Sequence, residues 1–213
     1  MTMIRNLLFD LGGVIMDIRR QNCVDAFKSL GMDAADEYLG EYCQAGPFEG
    51  IENGSYTVEQ FHEAIRGLIG REVSDSDIDE AFGKFLTGIP VHRLRELECL
   101  HGKFGMYMLS NTNPIMWADG ISRFFREDGH DVDYYFDGIV KSYEAGAMKP
   151  DPKIFRTVIE RCGIVPEETI FFDDSERNLE AAREFGFHTI LVKPGSEFYD
   201  LLKNYPGVDV PVC

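Results

Sequence analysis

Three short apolar runs in this 213-residue chain each stop at polar residues whose types can do chemistry. Phe9 is followed by Asp10 and then Gly12-Gly13, Leu109 by Ser110-Asn111, and Phe172 by Asp173-Asp174. Lys149-Pro150 stands before a helix-like stretch. Three carboxylates held together repel one another, and their pKa values rise unless a cation intervenes. An all-oxygen cluster suits Mg²⁺, which keeps waters and substrate phosphate in its coordination shell. Asp10 can then attack phosphorus and form an aspartyl-phosphate. Ser110 and Asn111 offer hydrogen bonds to phosphoryl oxygens, and Lys149 offers positive charge. Gly12-Gly13 lets the backbone N–H groups of the turn, that of Leu11 included, approach an anion. Each feature also has an ordinary structural use. Asp173-Asp174 can cap a helix starting at Ser175, Ser110-Asn111 can form a turn, and Lys149-Pro150 can open a helix. What gives them a chemical meaning is their joint placement at the same ends of successive strands.

The elements that must position them follow from the hydrophobic pattern. Met3 to Phe9, Phe104 to Leu109, Tyr135 to Val140, Thr169 to Phe172 and His188 to Val192 read as buried strands. Lys153 to Cys162 is amphipathic with Gly163 as its C-cap, and Ser175 to Phe185 is a helix closed by Gly186. Strands alternating with helices predict an α/β fold with a mostly parallel sheet covered on both faces. Ligands of such sheets bind outside the carboxyl ends of the strands, where the polar residues above lie. From about residue 20 to 91 the periodicity is helical instead. Segments at 21–30 and 34–43 are followed by Thr57-x-x-Gln60, a capping box opening a helix with Val58, Phe61, Ala64, Ile65 and Leu68 on one face. Ile78, Ala81, Phe82, Phe85 and Leu86 repeat that spacing. This stretch is expected to be a small all-helical unit.

Composition narrows the functional classes. The formal net charge of −16 repels nucleic acid and anionic lipid at long range. It also disfavours small anionic substrates, so one that binds requires a local cation. Cys23, Cys43, Cys99, Cys162 and Cys213 are odd in number and scattered, which argues against a disulfide framework or zinc cluster and suits a reducing compartment. The apolar start lacks a cleavage site, and no run approaches the roughly 18 apolar residues of a membrane span. A cytoplasmic protein is expected. The five histidines show no ligand spacing.

Read in order, Phe9-Asp10-Leu11-Gly12-Gly13-Val14, Leu109-Ser110-Asn111-Thr112, Gly146-Ala147-Met148-Lys149-Pro150-Asp151-Pro152 and Phe171-Phe172-Asp173-Asp174 with Asn178 resemble the four motifs of the haloacid dehalogenase-like superfamily. The resemblance spans nearly the whole chain. It implies a Rossmann-like core from residues 1–17 and 92–213, with residues 18–91 as an inserted C1-type helical cap. It implies Asp10 as nucleophile and metal ligand, the Gly12 carbonyl and Asp174 as further Mg²⁺ ligands, and Asp173 binding directly or through water. The resemblance also implies that Ser110 and Lys149 hold the phosphoryl oxygens. One position departs from the pattern. Phosphatases of this family usually carry a second Asp two residues after the nucleophile, which protonates the leaving group. Here that position is Gly12. A subset resembling bacterial α-glucose-1-phosphate phosphatase shares this form. The expected activity is Mg²⁺-dependent hydrolysis of a small phosphorylated metabolite, a sugar 1-phosphate being favoured because its leaving group needs less acid assistance. A phosphosugar mutase and a non-catalytic phosphate-binding or regulatory protein are the alternatives. A dehalogenase is opposed by Gly12 and by Asp173-Asp174. Asp17 is a conceivable substitute acid, with a structural turn role as the simpler reading. Substrate specificity is expected from the helical unit, from Arg19, Arg20 and the loop Gln44 to Asn53 with Phe48 and Glu52.

Overall fold

The computed structural model describes residues 3–40 and 44–213. β1 (Asn6–Phe9) leads through the Asp10 turn to β2 (Asp17–Ile18). Five helices follow: α1 (Arg20–Ser29), α2 (Ala35–Tyr38), α3 (Pro47–Glu52), α4 (Val58–Ile69) and α5 (Asp75–Gly83). β3 (Leu86–Gly88) then returns antiparallel to β2. Next come α6 (Val91–His101), β4 (Gly105–Ser110), and a π-helical turn at Met116–Ile121 that runs into α7 (Ser122–Arg126). α8 (Val132–Tyr135), β5 (Gly138–Lys141), α9 (Ser142–Ala145) and α10 (Pro152–Cys162) follow. The chain continues with β6 (Thr169–Asp173), α11 (Glu176–Arg183), β7 (His188–Leu191) and α12 (Phe198–Lys203).

The five long-range strands form one parallel sheet in the order β5-β4-β1-β6-β7. Its central strands are apolar on both faces, as a sheet covered on both sides requires. Along β1, Leu7 and Phe9 enter one core cluster and Leu8 the other; along β6, Ile170 and Phe172 face the first and Phe171 the second. Phe9 and Phe172 stack with ring centroids 4.7 Å apart. Register follows from this packing, since a one-residue slip would turn each apolar set to the wrong face. Phe9 pairs with Met108 on one side and Phe172 on the other, so Asp10, Ser110 and Asp173 reach the same sheet edge.

The helices between β2 and β3 have an aromatic centre of their own. Phe48 meets Phe27, Phe61 and Phe82 at centroid distances of 5.1, 5.3 and 5.2 Å, and all four are fully buried. The Thr57–Gln60 capping box is formed on both sides.

Several expectations need correction. The helix expected at 34–43 is confined to Ala35–Tyr38 in the described part, because Leu39 is extended and bridges to Gln44; residues 41–43 lie outside the described residues. Phe85 and Leu86 leave the helix, and Leu86 joins β3, whose pairing with β2 overrides their helical spacing. Tyr135 belongs to α8, and the strand expected there begins at Gly138. Cys99 and Cys213 form a disulfide across a sequence separation of 114, a pairing made by tertiary approach that local spacing does not reveal. Cys23 and Cys162 are free thiols, and Cys43 lies outside the described residues. Among the described residues no helix is long and apolar enough to cross a membrane.

Candidate active site

Asp10 leaves β1 with its backbone N–H donating to the Phe172 carbonyl at 2.8 Å, which ties it to the strand carrying the acidic pair. Its Oδ1 lies 2.7 Å from Lys149 Nζ and accepts the Leu11 N–H, also at 2.7 Å. Lys149 Nζ donates in turn to Asp173 Oδ2 at 2.8 Å. Asp173 is fully buried, and its Oδ1 accepts from Ser175 N–H and Asn178 Nδ2 at 2.9 Å each. Both of its oxygens are thus engaged by the protein. It caps the chain entering α11 and at the same time fixes Lys149. Asp174 projects instead toward the cavity. Its approach to the Asp10 turn depends on Gly13, where φ is +74° and a Cβ would stand 2.5 Å from Asp174 Oδ2. That position admits no side chain on two counts, conformation and space.

The electrostatics match a charged floor beneath the cavity. Burial pushes the Asp10 carboxyl up to about 7; the Lys149 ammonium opposes the rise, and Asp173 and Asp174 add to it. Burial of the Lys149 ammonium works against its charge, but Asp10 and Asp173 outweigh it and hold its pKa above the ordinary lysine value. Asp10, Asp173 and Asp174 each offer an oxygen, all within 4.8 Å of one another. A divalent cation that takes hard oxygen ligands fits this donor set and relieves the repulsion that adds to the rise at Asp10.

Ser110 is buried at the end of β4 and lines the cavity, and among the described residues its hydroxyl makes only a long 3.5 Å contact with the Asn111 carbonyl. Asn111 clamps the Lys149 backbone: Oδ1 accepts Lys149 N–H at 2.8 Å and Nδ2 donates to Lys149 O at 3.1 Å. Its side chain therefore positions the lysine loop. Of the turn N–H groups, Leu11 serves Asp10 and Gly13 serves the Met16 carbonyl at 2.9 Å.

The same cavity is walled by apolar side chains from β2–β3, Ile18 and Leu86, and from the π-helical turn, Met116 and Ile121. Gln44 and Glu52 enter it from the helical segment. Arg19 and Arg20 do not line it. Arg20 bonds the Leu39 carbonyl and the carbonyl and carboxylate of Asp36, and so staples the helical segment together. Phe48 is spent on the aromatic centre. Asp17 is exposed on β2 and accepts from Arg93 Nη1 at 2.8 Å, a structural tie. The apolar walls carry no motif and were invisible in the sequence, because they converge from three separate segments, around Ile18, Leu86 and Met116–Ile121.

A family model described as haloacid dehalogenase-like hydrolase matches residues 4–186. The chain belongs to that family. A D-ribitol-5-phosphate phosphatase of Bacteroides thetaiotaomicron is 35% identical over 196 residues, covering 92% of this chain and 95% of the relative. Among solved structures, a family enzyme of the same organism in complex with magnesium and inorganic phosphate superposes with a TM-score of 0.87 at 39% identity, over 93% of this chain and 98% of that one. A predicted family hydrolase of Porphyromonas gingivalis superposes with a TM-score of 0.88 at 32% identity, over 95% and 97% of the two chains.

Proposed function

We propose that this haloacid dehalogenase-like hydrolase cleaves the phosphomonoester of a small sugar or sugar alcohol, with magnesium as cofactor, through a phosphoryl group carried transiently on Asp10. The observation that carries the proposal is the convergence of Asp10, Ser110, Lys149 and Asp174 on one cavity, with Asp173 fixed behind them. Asp10, Asp174 and the Gly12 carbonyl are the residues to hold the metal, which neutralises charge on the phosphoryl oxygens. Asp173, its oxygens already engaged, acts through the lysine or a bound water. Lys149 and the Ser110 hydroxyl take the phosphoryl oxygens, and the Asp10 carboxylate attacks phosphorus. Residues 18–91 serve as the cap, with the β2–β3 pair as its connection to the core, and the apolar wall excludes water from the reacting centre.

Two substrate groups fall within this class. Gly12 points to sugar 1-phosphates, whose leaving groups depart readily. The relative named for D-ribitol 5-phosphate points to esters of a primary alcohol. Phosphate release from glucose 1-phosphate, glucose 6-phosphate and D-ribitol 5-phosphate, each with Mg²⁺ and with chelator, tests the proposal. Turnover of members of this set that stops in chelator is expected. No release from any of them, or full activity in chelator, contradicts it.

A further inference from the structure

Position 12 offers no proton donor, and its nearest neighbour is apolar. A Cβ at Gly12 would stand 3.3 Å from Ile18 Cδ1 and 3.5 Å from Ile18 Cγ2, so an apolar side chain borders the place where an acid would begin. Asp17 is turned to Arg93. Among the described residues the carboxylic and cationic groups lining the cavity are Asp10, Asp174, Lys149 and Glu52. The first three are committed to nucleophile, metal and phosphoryl oxygens in the reading above, on which this inference rests. Glu52 has no such employment. It ends α3, is only 7% exposed, and reaches the cavity from the cap side. No hydrogen bond or ion pair holds its carboxyl among the described residues, although such a group is costly to bury unpartnered. Its helix is fixed by Phe48 in the aromatic centre, so its placement is built into the packing.

We infer that Glu52 supplies the catalytic proton that position 12 lacks, acting on the leaving-group oxygen from the cap. In the first step a bond forms between an Asp10 oxygen and phosphorus while the ester P–O bond breaks. The electron pair stays on the departing oxygen, and the Glu52 proton lands there to release a neutral alcohol. Glu52 is left as a carboxylate. In the second step a water attacks phosphorus, Glu52 takes the water's proton, and the bond to Asp10 breaks. Inorganic phosphate, the Asp10 carboxylate and protonated Glu52 are restored. The surroundings keep the carboxyl protonated at neutral pH, as a donor requires. Burial pushes it up to about 8, with Glu49 on its own helix adding to the rise. Cys23 on α1 is a further titratable neighbour, and its thiol is itself pushed up by burial first and by the charge of Glu52 second. Across the cavity stand Asp10, Asp174 and Lys149.

This assignment reverses an expectation drawn from Gly12 alone, that rate should fall steeply as the leaving group becomes more basic. The experiment compares first-turnover alcohol release from D-ribitol 5-phosphate and from 4-nitrophenyl phosphate by rapid quench at saturating Mg²⁺. The full chain and its Glu52→Gln variant are both measured. Nitrophenolate departs with little acid assistance; the ribitol alkoxide does not. In Glu52→Gln the ribitol ester should slow by about 10²–10⁴-fold, the typical worth of a positioned acid, and the nitrophenyl ester by less than about tenfold. Equal losses on both esters, or no loss on either, overturn the assignment. The unsubstituted chain supplies a second measurement that does not depend on the variant folding. It should release the two alcohols at rates within about tenfold of each other, and a ribitol rate lower by 10²-fold or more overturns the assignment. Failure of the unsubstituted chain to act on either ester contradicts the phosphatase reading itself, a result distinct from both.

Discussion

The two acidic residues at the end of β6 are adjacent in sequence and opposite in use. Asp173 gives one oxygen to Ser175 and Asn178 and the other to Lys149, all inside the protein. Asp174 turns to the cavity and is accommodated by Gly13. The two alanine variants should therefore fail differently. Asp174→Ala should weaken Mg²⁺ binding, followed by calorimetric titration, more than Asp173→Ala does. Asp173→Ala should lower thermal stability more, because it removes a partner from a lysine whose side chain is 1% exposed. Breaking a buried pair on one side typically costs about 3–5 kcal/mol. The reverse order in the titration would mean that Asp173 is the direct ligand. The sequence made the acidic pair legible but not this division of labour. Hydrogen bonding to Asn178 and Lys149 decides it, and those partners are 5 and 24 positions away. Asn111 is similar: its type suits a phosphate contact, yet its amide is matched at both ends to the Lys149 backbone.

At the scale of elements, the parallel strands were readable because burial on both faces leaves continuous apolar runs. Their polar ends were readable for the same reason, since the runs stop where the sheet edge meets the cavity. The short pieces were not. β2 and β3 hold two and three residues, too few for any period, and Leu86 also satisfies a helical spacing. Tyr135 and Phe136 are buried and aromatic, which imitates a strand, but they close the turn from α8 toward β5. The helices between β2 and β3 owe their positions to Phe48 more than to propensity, and α3, only six residues long, has no independent stability. Phe48→Ala should destabilise the protein by about 3–5 kcal/mol. Amide hydrogen exchange should rise in α1, α3, α4 and α5 while the central sheet stays protected. Uniform loss of protection across β1, β4 and β6 would show that the helical segment and the sheet unfold as one unit.

For the whole molecule, a net charge of −16 surrounds a site meant for an anion. Lys149 and a divalent cation reverse the sign locally, and the buried acids bear a cost that depends on pH. Glu52 has a folded value near 8 against an ordinary 4.5, so the folded state holds its proton more tightly than the unfolded state. Stability contributed by that proton is present below about pH 4.5 and is lost as pH rises toward 8. Glu52→Gln removes the titration. Its stability advantage over the unsubstituted chain should grow between pH 5 and 9, by on the order of a few kcal/mol. Chemical denaturation across that range checks it, and an advantage that does not change with pH would place Glu52 in a solvated setting. Asp10 is displaced in the same direction, but it is common to both proteins and cancels.

The proposed mechanism requires Asp10 to carry the phosphoryl group as nucleophile. Acid quenching during turnover of a phosphorylated sugar alcohol with Mg²⁺, followed by peptide mass spectrometry, reads this directly. A phosphoryl adduct should appear on the peptide carrying Asp10, rise and decay with turnover, and be absent from Asp10→Asn, whose neutral amide is a poor nucleophile. Turnover with no adduct on that peptide, or near-normal turnover by Asp10→Asn, would contradict the mechanism.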